Sequence, residues 1–208
     1  MENSHANNTA SSGLSRRSIT KGIAWAAPVI AAASTAPFAS ASRVVRSPGL
    51  NGWVTISKNC QTNNLIINGR GSFTGGGNND RGIWIFDNNN DPGAGIQNAY
   101  IVFYYPSSLG NLTWTTQTGT NWSAPVLTTA MGPSQAGFNR YITYYTGTWT
   151  YNTVYKAWVA DGQPYFTASI SSTSCGSSIK AYAYRSVDVQ RPNDTWENVA
   201  FLRGPVTL

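Results

Sequence analysis

The amino-acid sequence predicts an all-β fold, an antiparallel sandwich of two sheets. Beyond residue 48, short runs of β-branched and aromatic residues alternate with turns rich in Gly, Asn, Ser and Thr, and the 208 residues include 20 Gly, 10 Pro, 11 Tyr and 8 Trp. Short strands separated by frequent turn signals are typical of sandwich domains. No segment repeats apolar residues at helical spacing, which argues against a helical domain.

Each strand is predicted where apolar and polar residues alternate between turn formers. We expect about nine to eleven strands. The candidate segments, not all of which need form a separate strand, are in chain order residues 52–59, 64–68, 71–74, 82–87, 98–105, 111–116, 122–129, 141–150, 154–160, 165–171, 179–189 and 199–202. Residues 75–80, rich in Gly and Asn, favour a hairpin between the third and fourth segments.

The segment 98–105 is predicted to lie centrally in the sandwich, because both of its faces are apolar. Its two faces carry Ile101, Phe103 and Tyr105 on one side and Tyr100, Val102 and Tyr104 on the other. The segment 165–171 alternates more cleanly, with Phe166, Ala168 and Ile170 predicted to face inward.

The first 41 residues are predicted to be a leader and a cleavable export signal. Arg16 and Arg17 precede Lys21, a short apolar run follows at residues 22–33, and the small residues 39–41 match an A-x-A cleavage site. This arrangement resembles a twin-arginine export signal and the signal peptides of secreted actinobacterial proteins. Residues 42–208 would then form a single secreted domain, extracellular or associated with the cell envelope, with no transmembrane segment once the signal is cleaved.

Cys60 and Cys175 are the only two cysteines. Outside the cell such a pair is expected to form a disulfide, with two buried free thiols as the alternative. A metal site is disfavoured, because two cysteines alone are a poor ligand set.

The residues that catalysis needs are scarce. The one histidine, His5, lies ahead of the predicted signal, so the secreted domain has no imidazole base for Ser-His or Cys-His chemistry. Glu197 is the only glutamate after residue 41, which disfavours glycoside hydrolysis by paired carboxylates. We therefore expect a protein that is not an enzyme and has no cofactor.

Asp87, Asn89 and Asp91 have the i, i+2, i+4 spacing that begins a calcium-binding loop. Pro92 replaces the glycine of that motif, and Asn98 stands where a bidentate glutamate belongs. The sequence favours an Asx-rich hairpin loop over a calcium site, without deciding between them.

Tryptophan offers a candidate binding surface. Trp114, Trp122 and Trp149 lie among Thr, Asn and Gly rather than among aliphatic residues, which is consistent with exposed platforms for sugar rings. The alternative is that tryptophans build the core of a domain poor in Leu and Ile. The Lys and Arg residues after position 41, 11 of the 14 in the chain, are scattered and form no basic stripe, so nucleic acid is not an expected partner.

The strand plan, with residues 144–148 and 201–206, resembles the immunoglobulin-like domains of actinobacterial envelope proteins. Small jelly-roll xylanases are similar in size and in Trp and Tyr content. From the predicted export signal and the scarcity of catalytic residues, we expect a non-enzymatic extracellular protein with a structural, adhesive or interaction role, whose partner is a cell-wall or extracellular polysaccharide or a protein. The alternative expectation is a carbohydrate-binding module that recognises polysaccharide through exposed Trp and Tyr.

Overall fold

The computed structural model describes residues 48–70, 82–86, 92–191 and 194–208, apart from the side chain of residue 53. The chain divides into two units, residues 1–45 and 46–208, and all the described residues belong to the second. The strands in chain order are β1 (Gly49–Trp53), β2 (Thr55–Asn59), β3 (Asn64–Asn68), β4 (Gly82–Phe86), β5 (Ile96–Pro106), β6 (Trp114–Thr116), β7 (Val126–Thr128), β8 (Phe138–Tyr144), β9 (Trp149–Asn152), β10 (Ala157–Ala160), β11 (Tyr165–Ser169), β12 (Lys180–Gln190) and β13 (Trp196–Thr207). One short helix, α1 (Ser172–Gly176), precedes β12.

The described strands form three sheets in which every pairing is antiparallel. Sheet A has the order β1-β4-β10-β9, sheet B has the order β2-β3-β11-β6, and sheet C has the order β13-β12-β5-β8-β7. One face of sheet C packs against the other two sheets. The predicted all-β antiparallel sandwich is therefore confirmed, but it has three sheets rather than the two that were expected. Only Val54 separates β1 from β2, and the chain therefore passes directly from sheet A to sheet B.

The larger apolar cluster of the described residues takes side chains from all three sheets and forms the core. Alternation along the strands supplies them: Ile101, Phe103 and Tyr105 of β5 face the core, as do Phe166 and Ala168 of β11. β5 is the middle strand of sheet C, and Val102 and Tyr104 on its opposite face are buried too. The central position predicted from two apolar faces is confirmed.

The disulfide between Cys60 and Cys175 is also confirmed. Cys60 follows β2, Cys175 lies in α1, and their Cα atoms are 5.5 Å apart across a sequence separation of 115 residues. The bond fixes α1 to the end of sheet B, and no free cysteine remains in the chain.

The segment 141–150, predicted as one strand, is two. β8 ends at Tyr144 and β9 begins at Trp149, because Tyr145 leaves sheet C to form an isolated bridge with Trp122. A turn at residues 146–148 then carries the chain to sheet A.

The last strand is much longer than the predicted segment 199–202. β13 pairs with nearly the whole of β12, from Gln190 opposite Trp196 to Lys180 opposite Thr207. Gly and Pro, here Gly204 and Pro205, weaken strands, but β13 is an edge strand in the described sheet C, and proline is tolerated where one side of the strand has no ladder partner. A shift of register between Ala181 and Ala183 accommodates them.

Candidate functional site

The candidate site lies on the face of sheet C that points away from the core. Three tyrosines from neighbouring strands form a row there: Tyr144 of β8, Tyr100 of β5 and Tyr184 of β12. The ring centroids of Tyr100 lie 6.2 Å from those of both Tyr144 and Tyr184, and the ring planes are tilted by 54° and 42°. We call these three residues the tyrosine row.

Strand alternation explains why the row is on this face. Successive residues of a strand point to opposite sides of the sheet, so Ile101 and Ala183 face the core while Tyr100 and Tyr184 face outward. Tyr144 is 45% exposed, whereas Tyr100 and Tyr184 are half-buried beside the small apolar cluster on this face. Tyrosine suits such a position because its ring packs while its hydroxyl meets water.

A cavity of about 340 Å³ opens beside the tyrosine row. Its described lining consists of Asn98, Tyr100, Met131, Tyr144, Asp188 and Asn198. Aromatic and thioether surface therefore forms one side of the cavity, and a carboxylate with two amides forms the other. Cavities of this size that combine apolar walls with a few convergent polar groups are typical of small-ligand sites.

Asp188 is the centre of the polar side. Its Oδ2 accepts a hydrogen bond from Asn98 Nδ2 at 2.8 Å, and its Oδ1 accepts one from Asn198 Nδ2 at 2.7 Å. Asn198 Nδ2 also lies 2.9 Å from the Oγ of Ser186. The carboxylate thus orients both amides, whose oxygens remain as acceptors for a ligand.

A β-bulge positions Asn98. The register between β5 and β12 shifts from Ser186 opposite Tyr100 to Asp188 opposite Gln97, so β5 carries one additional residue there. Asn98 has a φ of 54°, a left-handed conformation in which asparagine is enriched. Bulges commonly redirect a side chain beside a functional site.

The loop of residues 129–137 covers one end of the same face. Arg140 Nη1 donates to the carbonyl oxygens of Gly132 at 2.9 Å and Met131 at 3.2 Å, and Arg140 Nη2 donates to that of Thr129. Tyr104 Oη donates to the carbonyl oxygen of Pro133 at 2.9 Å. These bonds hold Met131 in the cavity wall, so the cavity is formed before any ligand arrives.

Burial keeps the nearby phenols protonated. It raises the pKa of Tyr104 to about 12, against a smaller lowering by the positive charge of Arg140. Burial also raises the pKa of Tyr184, and the neighbouring Tyr100 adds to that increase. The hydroxyl of Tyr184 is therefore a hydrogen-bond donor throughout the neutral pH range.

The predicted tryptophan platform is wrong for two of its three residues. Trp114 and Trp122 are only 5% and 4% exposed, because Trp114 packs on Tyr105 and Tyr141 and Trp122 packs on Tyr145. Trp149 is half-buried against the core, so the three do not form a common surface. The reading of tryptophan as core material holds for Trp114 and Trp122.

Three other predicted features fall outside the described residues: the export signal with Arg16, Arg17 and Lys21, the strand 71–74 with the turn at residues 75–80, and the loop with Asp87, Asn89 and Asp91. Within the described ranges, no group of three or more His, Cys, Asp or Glu side chains is placed to hold a metal ion. None of the described helices has the length and apolar character needed to span a membrane.

The tyrosine row was missed at the sequence level although a signal was present. Tyr100 and Tyr184 occupy outward positions in two alternating segments, where a purely structural strand could carry Thr or Val. Alternation places each residue on a face, but the pairing of β5 with β8 and β12 is long-range, and it alone brings the rings together.

No protein-family model, curated protein or solved structure matches this chain.

Proposed function

We propose that this protein is a secreted, non-catalytic adhesion module that binds polysaccharide through the tyrosine row and the adjoining cavity on sheet C. The observation that supports the proposal most directly is the juxtaposition of Tyr100 and Tyr144 with Asp188 and its two asparagines around one cavity. The aromatic contacts with sugar that were expected from tryptophan are assigned in this proposal to tyrosine.

The chemistry of the two sides matches the two kinds of surface on a sugar. The C–H face of a pyranose ring is apolar and packs on aromatic rings, whereas its hydroxyls need donors and acceptors. Tyr144 offers an exposed ring, and Asp188, Asn98 and Asn198 offer fixed polar groups. A mostly apolar ligand would remove these polar groups from water without offering hydrogen bonds in return, at a cost in free energy.

The tilt between the rings favours one form of polysaccharide. Coplanar rings would suit a flat crystalline surface, but the planes in the row are inclined by 54° and 42°. Rings inclined in this way cannot all lie flat against one plane, so the row suits a single flexible glycan chain better than a crystal face. We therefore expect soluble or amorphous glycans to bind better than crystalline ones.

The electrostatics of the cavity support a binding role over hydrolysis. Among the described residues of its lining, Asp188 is the one carboxylate, and both of its oxygens accept amide hydrogen bonds. Glu197 is ion-paired with Arg191 at 3.3 Å. Glycoside hydrolysis uses two carboxyl groups facing the scissile bond, one of which must be protonated.

An exported location is part of the proposal. The Cys60–Cys175 disulfide is consistent with an oxidising compartment, and the signal-like residues 15–41 supply a route. If that route is twin-arginine export, Arg16→Lys combined with Arg17→Lys will leave the protein in the cytoplasm in a fractionation experiment. Unchanged secretion of this variant would contradict that route without bearing on the binding site.

The binding proposal is tested by retention of the purified full-length chain on amorphous and crystalline polysaccharides and on purified bacterial cell walls. We expect retention on at least one amorphous matrix, reversed by the soluble form of the same glycan. Absence of retention on every matrix would reject the proposal.

A second candidate is assembly through the free edge of sheet C. β13 has twelve residues, has β12 as its one partner among the described strands, and exposes Trp196, Leu202 and Val206. An unprotected edge strand is a template for pairing with another chain. Sedimentation velocity tests this role: oligomers that Leu202→Lys dissociates would support it, and a monomer at all concentrations would reject it.

A further inference from the structure

A second candidate site lies on the opposite side of sheet C, between its β12–β13 edge and the junction of β1 and β2. A cleft of about 100 Å³ opens there. Its apolar walls include Val54, Ile56, Ala181 and Val206, and the guanidinium groups of Arg185 and Arg203 also line it. No described residue of its lining is acidic.

Arg185 is a buried cation at this cleft. Its position on β12, in register with Ile101 and Phe201, directs the side chain toward the interior, where it is only 3% exposed. Within the described part of the chain, neither its Nε nor its Nη1 has a hydrogen-bond partner. A buried cation whose donors are unsatisfied is costly, and in folded proteins such charges are normally paired.

A second positive charge accompanies it. The guanidinium carbons of Arg185 and Arg203 lie 5.3 Å and 5.2 Å from the centroid of the Phe201 ring. Arg203 Nη2 donates to Asn51 Oδ1 at 2.7 Å, which fixes its position without neutralising its charge. Burial, and secondarily Arg203, lower the pKa of Arg185 to about 9, as expected for a buried cation that has no counter-ion among the described residues.

We propose that this cleft binds a small carboxylate: its anionic group pairs with Arg185 and Arg203, and a short aliphatic portion packs against Val54, Ile56 and Ala181. The guanidinium donors require an anion, and the apolar walls require a hydrocarbon attached to it. The volume of about 100 Å³ limits that hydrocarbon to a few carbons. This site is separate from the tyrosine row, since it lies on the core side of sheet C.

The test follows the thermal unfolding midpoint, Tm, of the full-length chain at pH 7 while sodium butyrate replaces sodium chloride at constant ionic strength. A ligand that binds only the folded state raises Tm with its concentration. We expect butyrate to raise Tm, acetate to act more weakly because it lacks the apolar portion, and butyramide, the neutral analogue, to have no effect. Inorganic phosphate is a further control. A site that binds oxyanions without recognising an apolar portion would give the same increase in Tm with phosphate as with butyrate.

Substitutions in the cleft test which residues bind butyrate. Arg185→Met should abolish the butyrate dependence, and Arg203→Gln should raise the apparent Kd about tenfold by removing one charge-assisted contact. Lys180→Gln is the matched control, since Lys180 is exposed on the same strand and its loss changes the net charge equally. Its butyrate dependence should equal that of the unmodified chain.

A direct readout covers the case in which Arg185→Met fails to fold. The Nε–H resonance of Arg185 in the unmodified chain should shift with butyrate concentration, and the same shift in Arg203→Gln should require about tenfold more butyrate. Absence of any butyrate effect on both Tm and this resonance would overturn the proposal. Equal effects of phosphate and butyrate, or loss of the effect in Lys180→Gln, would overturn it as well.

Discussion

Tyr100 and Tyr144 lie directly opposite each other on β5 and β8, and their ring centroids are 6.2 Å apart on the outward face of sheet C. This cross-strand pair connects the buried centre of the sheet with its exposed part, because Tyr100 is half-buried and Tyr144 is 45% exposed. Tyr144 is therefore the ring of the row that a ligand meets first.

Replacing Tyr144 by alanine is expected to weaken polysaccharide binding about tenfold, as truncation of an aromatic anchor often does. Affinity electrophoresis with the best-retained soluble glycan measures this change. Tyr155→Ala is the matched control, since Tyr155 is 43% exposed but does not line the cavity. Equal weakening by both variants would place the binding site elsewhere.

The loop 129–137 gives a second prediction. Gly132 and Gly137 both have positive φ, 74° and 80°, but a Cβ on Gly132 would lie 2.5 Å from Tyr104 Oη, whereas one on Gly137 meets nothing within 4 Å. Gly132→Ala should destabilise the fold by about 1–3 kcal/mol more than Gly137→Ala, because both variants strain the backbone but only Gly132→Ala adds overpacking. Urea unfolding measures the difference, and equal midpoints would show that the loop is not fixed against Tyr104.

Trp122 is expected to act as a core residue. It is 4% exposed, and its Nε1 donates to the carbonyl oxygen of Gly162 at 3.0 Å. Trp122→Ala should lower the free energy of unfolding by about 3–5 kcal/mol, whereas the exposed Trp196→Ala should cost less than about 1 kcal/mol. Denaturant unfolding followed by circular dichroism compares the two, and a small effect at Trp122 would contradict the structure.

The disulfide should contribute measurably to stability. It closes a loop of 115 residues, and removal of a native disulfide typically costs about 2–5 kcal/mol. The double variant Cys60→Ser with Cys175→Ser should unfold at lower urea concentration than the oxidised chain. Its urea midpoint should equal that of the unmodified chain in dithiothreitol. The bond would be refuted if neither the double substitution nor dithiothreitol lowered the urea midpoint.

Alkaline pH should destabilise the protein through buried tyrosines. Burial raises the pKa of Tyr145 to about 12, although its hydrogen bond to the Asp161 carbonyl acts in the opposite direction. Between pH 10 and 12 the unfolded chain loses this proton first, so the stability present below pH 10 declines as pH rises. Tyr145→Phe should reduce the slope of stability against pH, which urea midpoints at pH 9, 10 and 11 would reveal; an unchanged slope would assign the decline to other tyrosines.

Local patterns in the sequence predicted much of the fold. Alternation identified β3 and β4, placed Phe166 and Ala168 in the core, and located β5 at the centre of a sheet through its two apolar faces. The predicted strand boundaries were wrong where pairing with a partner strand sets the length. β13 extends past Gly204 and Pro205 because β12 provides a ladder along one side of it.

The sequence by itself determined the all-β class, the disulfide pairing and the absence of an imidazole after residue 41, because these follow from composition, periodicity and count. Only the tertiary structure decided which aromatic residues are exposed. Trp122 and Tyr144 both lie in polar surroundings in the sequence, yet one is buried and the other open to solvent. Exposure depends on what packs against a residue from distant parts of the chain, and pairings between strands far apart in sequence set that environment.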